Sequence, residues 1–96
     1  MTREEVLHAL SEYHEALASL GVKSLALFGS SVRNEAGAGS DVDLLVEFDR
    51  PVGLFAFLEV KEFLEGVLGC PVDLGTPESL HPRLRARVFR EAVYVP

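Results

Sequence analysis

Two stretches decide how this chain folds: Val22-Lys23-Ser24-Leu25-Ala26-Leu27-Phe28-Gly29-Ser30, and then Asp41-Val42-Asp43-Leu44-Leu45-Val46-Glu47-Phe48. The first is short, apolar and bounded by Gly21 and Gly29, which marks a buried strand. In the second, Val42, Leu44 and Val46 alternate with Asp41, Asp43 and Leu45, the two-residue period of a strand with two distinct faces. Residues 31–40 between them are polar and broken by glycine, with room for a short helical turn that Ser30 or Ser31 could cap. Asp49-Arg50-Pro51 ends the second strand.

Upstream, Thr2 and Glu5 stand at capping-box spacing, and Val6, Leu10, Tyr13, Leu17 and Leu20 recur three or four residues apart. This predicts one amphipathic helix, stopped by Gly21. Downstream, Leu54, Phe57, Leu58, Phe63, Leu64, Val67 and Leu68 predict another, with Glu59, Lys61, Glu62 and Glu65 on its wetter side and Gly69 at its end. Cys70 to Leu74 reads as a third strand, Val72 and Leu74 on one face and Asp73 on the other. Thr76-Pro77 resembles a helix start. Pro82 begins a last helix, with Leu84, Val88 and Ala92 facing inward and Arg83, Arg87 and Arg90 elsewhere, and Val93-Tyr94-Val95 can add an edge strand. The expected fold is α/β in the α+β sense, a small mixed β-sheet of three to four strands flanked by helices, in one domain over residues 1–96.

Composition narrows the functions. Nearly half the residues are apolar, interrupted every few positions by charge, as in a globular protein. The amphipathic start predicts neither a signal peptide nor a membrane span, hence a cytoplasmic protein. The single Cys70 excludes a disulfide framework and reads as a structural thiol. A net charge of −6 argues against bulk nucleic-acid binding, which needs a cationic surface. The charge is uneven, however. Residues 1–82 hold five basic against fourteen acidic side chains, whereas residues 83–96 hold Arg83, Arg85, Arg87 and Arg90 against Glu91. No Gln, one Asn and seven Arg against two Lys suit a thermophilic source.

Alternation puts Asp41 and Asp43 on one strand face, where together they can hold a cation. Two carboxylates ~4 Å apart repel by about 4 kcal/mol at an effective dielectric of 20, a cost a cation removes. If the second and third strands pair, Asp73 joins them in an all-oxygen site suited to magnesium rather than zinc. A lone Asp-x-Asp is commonly a solvated pair, and Gly29-Ser30-Ser31 alone reads equally as a turn with a serine cap. Together they suit one task. Glycine permits close backbone approach, and amides at a helix start attract phosphate oxygens. Arg33 reads either as a phosphate contact or as a surface partner of Glu35. His8, His14 and His81 have no spaced metal partner and read as structural.

The stretch Phe28-Gly29-Ser30-Ser31-Val32-Arg33-Asn34 through Gly39-Ser40-Asp41-Val42-Asp43-Leu44-Leu45-Val46 resembles the minimal nucleotidyltransferases of the DNA polymerase beta-like superfamily. Pro71-Val72-Asp73-Leu74 is similar to that family's third acidic strand, and Glu91-Ala92-Val93-Tyr94 to its ending. Val32-Arg33-Asn34 departs from the commoner Ala-Arg-Gly, although Asn tolerates a left-handed backbone. The resemblance implies that Gly29 and Ser30 hold the triphosphate of ATP or another nucleoside triphosphate. It implies that Asp41 and Asp43 ligate two Mg2+ ions, and that Asp73 completes one metal site and helps deprotonate the acceptor hydroxyl. It further implies a HEPN-domain partner, a toxin that this chain would neutralise as antitoxin by adenylylating a tyrosine. Neutralisation by binding alone, without catalysis, remains the alternative.

Overall fold

The computed structural model describes residues 2–29 and 41–96. The expected turn near Ser30, together with Ser31, Arg33 and Asn34, lies outside them.

Thr2 starts helix α1 (Arg3–Ser11) with a capping box. The Glu5 N–H donates to the Thr2 hydroxyl at 3.2 Å, and the Thr2 N–H donates to the Glu5 carboxylate at 2.8 Å. The bond from the Thr2 N–H, and after it one from the Thr2 side chain, holds the Glu5 carboxyl below its ordinary range, because each favours its charged form. The single long helix expected here is instead two. At Tyr13 the N–H turns back to the Leu10 carbonyl at 3.0 Å, a tighter three-residue closure, and α2 (His14–Ser19) begins afresh. The break sits where the Tyr13 ring meets Phe63 edge-on, with centroids 5.7 Å apart.

Strand β1 (Val22–Leu27) pairs antiparallel with β2 (Val42–Phe48), helix α3 (Leu54–Leu68) crosses over, and β3 (Val72–Gly75) returns parallel to β2. A single turn of 3-10 helix (Pro77–Ser79), helix α4 (Pro82–Glu91) and β4 (Val93–Tyr94) complete the order β3-β2-β1-β4. The helix expected at Thr76-Pro77 stops after one turn, as the residue before a proline, here His81, avoids helical backbone.

One sheet face, built from Leu25, Leu27, Val42, Leu44, Val46, Val72 and Leu74, packs on α1, α2 and α3 through Val6, Leu10, Leu17, Val60, Leu64 and Leu68. Leu10, Leu27, Leu44, Leu64, Val46 and Val60 are fully buried, each contributing about 1.5–3 kcal/mol of transfer free energy. The opposite face carries Asp43, Asp73, Ala26, Leu45 and Gly75, by strand alternation and by the pairs Ala26↔Leu45, Asp43↔Asp73 and Leu45↔Gly75. Leu45 and Ala26 are buried there although neither belongs to the helix-packed cluster, so something covers them. Ser79 of the 3-10 turn lies over Gly75 and Leu45, its Oγ 3.2 Å from where a Gly75 Cβ would stand. From there α4 travels back to β4, which runs parallel to β3 and β2. Because α3 fills the first face, the right-handed rule for parallel crossovers puts α4 over the second.

The inward side of α4 differs from expectation. Arg85, Val88, Phe89 and Ala92 are half-buried, while Leu84 is 51% exposed. Arg85 donates from Nε to the Pro77 carbonyl at 3.1 Å and from a terminal nitrogen to the Leu80 carbonyl at 3.4 Å. Drawing that side chain under the helix turns its predecessor outward by about 100°.

Candidate active site

The end of β1 and the beginning of β2 meet at one end of the sheet. The Phe28 N–H donates to the Asp43 carbonyl at 3.1 Å, continuing the ladder one step past β1. Gly29 then turns the chain with φ +64°. A Cβ there would stand 2.8 Å from the Asp43 Oδ2, so the absence of a side chain lets the corner close over that carboxylate.

Asp43 is half-buried and lies in register with Asp73 on the parallel neighbour β3, so the two carboxylates share a face. Asp41 immediately precedes β2, two residues from Asp43, the spacing that returns a side chain to the same side. Asp41 and Asp73 are exposed and have no hydrogen-bond or ion-pair partner among the described residues. The register is fixed from two sides. The Val42 N–H donates to the Pro71 carbonyl at 3.1 Å, and the Val72 N–H donates to Glu65 Oε2 of α3 at 3.0 Å. Glu65 thereby anchors the residue before Asp73. Nothing local signals this, since by spacing Glu65 is one more acid on the wet side of α3.

Of the expected site residues, the structure therefore brings Gly29, Asp43 and Asp73 to one place, with Asp41 at its rim. Ser30 and Arg33 fall outside the described residues. As they stand, no three His, Cys, Asp or Glu side chains among the described residues are gathered tightly enough to enclose an ion. The donor set itself suits magnesium: hard carboxylate oxygens, with no thiol or imidazole alongside. His81 is occupied elsewhere, its Nδ1 accepting the Arg83 N–H at 3.1 Å at the start of α4, and His8 lies 3.2 Å from Glu12.

A cleft of about 720 Å3 opens at the opposite end of β2, among Phe48, Arg50, Pro51, Phe57, Thr76 and Glu78. From Asp43 to Phe48 the strand rises roughly 16 Å. Glu47, Asp49 and Glu78 make that cleft acidic, and Arg50 is held by Asp49 at 3.0 Å, so it offers little to a phosphate. Among the described residues, the polar site and this cleft are thus different places.

The structure is thus a mixed sheet that presents strand carboxylates beside a glycine corner. Residues 7–95 match the family model described as nucleotidyltransferase domain, and the chain belongs to that family. It is 42% identical over 96 residues to the protein adenylyltransferase MntA of Thermococcus cleftensis, covering 99% of this chain and 97% of the relative. A solved structure described as that of a presumed minimal nucleotidyltransferase superposes with a TM-score of 0.82 at 40% identity, covering 97% of this chain and 95% of the other. A toxin-antitoxin structure with AMP-PNP has the same fold at a TM-score of 0.71 and 22% identity, covering 88% of this chain and 70% of that one. The fold is likewise shared with a chain of a solved structure described as a tri-AMPylated Shewanella oneidensis HEPN toxin in complex with MNT antitoxin, at a TM-score of 0.66 and 18% identity, covering 99% of this chain and 72% of that one. The chain is a nucleotidyltransferase of mixed α+β fold. Among the described residues no helix is long and apolar enough to cross a membrane.

Proposed function

We propose that this nucleotidyltransferase moves AMP from ATP to a tyrosine hydroxyl on a helical HEPN-type partner in the cytoplasm, silencing that partner as an antitoxin. The observation that carries this reading is the in-register pair Asp43↔Asp73 beneath the Gly29 corner. It is supported by the 42% identical relative named a protein adenylyltransferase and by the fold shared with antitoxins of HEPN toxins.

In this reading Asp41, Asp43 and Asp73 would hold two magnesium ions, which would supply charge neutralisation at the reacting phosphate. Gly29 leaves backbone free to approach the triphosphate, with Ser30 adding a hydroxyl donor and Arg33 a cation. The acceptor oxygen forms a bond to the α-phosphorus as the bond to the β-phosphate's bridging oxygen breaks. Pyrophosphate leaves, and the hydroxyl proton passes to Asp73. Incubation with α-labelled ATP, magnesium and the partner should label a partner tyrosine; an unlabelled partner in a folded complex would overturn the reading.

A second reading, neutralisation by binding alone, is favoured by the start of α3, where Leu54, Phe55 and Leu58 are 67%, 88% and 39% exposed. The double variant Asp41→Asn, Asp43→Asn separates the two. Catalysis predicts an intact complex without protection, binding an intact complex with full protection.

A further inference from the structure

A triphosphate brought to three carboxylates needs positive charge beyond its metals, and the described cations can be sorted by where the topology puts them. Lys23 lies near the start of β1, at the far end of the sheet, where Val22 pairs with Phe48. Arg50 follows β2 at that same far end and is held by Asp49. Arg3 is on α1, 3.1 Å from Glu4, and Lys61 is on α3, both elements packing on the face away from the carboxylates. What remains is α4.

Helix α4 leaves the 3-10 turn at the far end of the sheet and ends at β4, where Val93 pairs with Leu27 and Tyr94 with Ala26. Leu27 is the last residue of β1, and the next residues are Phe28 and Gly29 of the corner over Asp43. The C-terminal turn of α4 is thus delivered to the site end, on the carboxylate face. Within α4, Arg83 stands at the far start, Arg85 is tied to the Pro77 and Leu80 carbonyls, and Arg87 lies 3.5 Å from Glu91. Arg90 occupies the last turn, is exposed, and has no hydrogen-bond or ion-pair partner among the described residues. A cation in the last turn also complements the helix dipole, the ordinary structural role for such a residue. The acidic body makes it more than that: apart from α4, the described residues leave this end of the sheet without a cation.

We propose that Arg90 is a polyphosphate-binding residue, contacting the part of the nucleoside triphosphate that departs as pyrophosphate, so that the helix after β3 completes a site otherwise built from β1, β2 and β3. This rests on the proposed metal and nucleotide site at Asp41, Asp43 and Asp73. An arginine fits the role because its planar fork is always charged and binds phosphate oxygens in pairs.

The test is calorimetric titration of the intact chain with magnesium–ATP and, separately, with magnesium–AMP. Arg90→Gln should weaken ATP binding about tenfold and AMP binding less than about twofold, since AMP lacks the departing phosphates. Arg90→Lys should recover most of the loss, and Arg83→Gln, removing the same charge at the far end of the helix, should leave ATP binding unchanged. A purely structural Arg90 would lower the melting temperature without separating ATP from AMP, and that result overturns the proposal. If Asp43→Asn abolishes ATP binding while Arg90→Gln does not change it, Arg90 is excluded and the carboxylate site stands. If ATP binding survives Asp43→Asn, the site itself is misplaced and the proposal falls with it.

Discussion

Substituting Gly29 by alanine separates backbone strain from the chemistry of the corner, because Gly69 supplies a matched control. The two glycines have nearly the same left-handed backbone, φ +64° and φ +69°. An alanine at either position should cost about 1–2 kcal/mol in strain, lowering the melting temperature by roughly 4–16 °C for a domain this small. Their surroundings differ. Nothing lies within 4 Å of a Cβ at Gly69, whereas a Cβ at Gly29 would meet Asp43 Oδ2 at 2.8 Å and Cγ at 3.5 Å. The Asp43 carboxylate can swing aside, so the contact adds little to the loss of stability. Swinging aside nevertheless moves a proposed ligand by several tenths of an ångström, and magnesium tolerates only about 0.2 Å. Saturation at about 100-fold over the dissociation constant stabilises by ~2.7 kcal/mol, a rise on the order of 10–20 °C. Thermal melts with and without magnesium–ATP should therefore find both variants similarly weakened alone, with the ligand-induced rise kept in Gly69→Ala and mostly lost in Gly29→Ala. An equal rise in both would refute the idea that this corner shapes the metal site.

Other perturbations test neighbouring parts of the account. Asp73→Asn removes a like charge opposite Asp43, so in EDTA at low salt it should raise stability by about 0.2–1 kcal/mol, while reducing the rise with magnesium–ATP; a fall in EDTA would contradict the pairing. The Glu5 carboxyl titrates below its ordinary value of 4.5 because of the Thr2 bonds. Its stabilisation is thus present above pH 4.5 and fades as pH falls through the lowered value, so Glu5→Gln, which removes the titrating group, should flatten acid unfolding there, as circular dichroism against pH would show. Leu64→Ala empties a fully buried position in α3 and should lower stability by about 2–5 kcal/mol in urea unfolding, with little change in the slope.

The sheet was readable because its signals are local. Apolar alternation in Val42–Phe48, the glycines around Val22–Leu27 and the Val72-Asp73-Leu74 pattern are each contained within a few residues, and the mixed sheet follows from them. The alternation that marked the strand also put Asp43 on one face and Asp73 opposite Val72 and Leu74, whereas the register Asp43↔Asp73 came only from the pairing of β2 with β3. What escaped depends on side chains meeting backbone far along the chain. Arg85 reaches the carbonyl eight residues earlier, and α4 is turned so that Phe89 is half-buried and Leu84 exposed. Glu65 reaches the Val72 N–H and steadies β3. The break at Tyr13 falls where its ring meets Phe63, and a continuous three-four apolar rhythm carries no trace of it. Placing α4 over the carboxylate face required the strand order, which no periodicity encodes.

The central claim is that Asp41, Asp43 and Asp73 jointly hold the metal that meets the nucleotide's phosphates. Crystals grown with manganese and AMP-PNP, measured at the manganese absorption edge, test it without reference to any acceptor. The account predicts anomalous peaks among those three carboxylates, beside the Gly29 corner and in contact with the phosphates. Nucleotide bound with its metal elsewhere, above all in the cleft near Phe48 and Phe57, would contradict it.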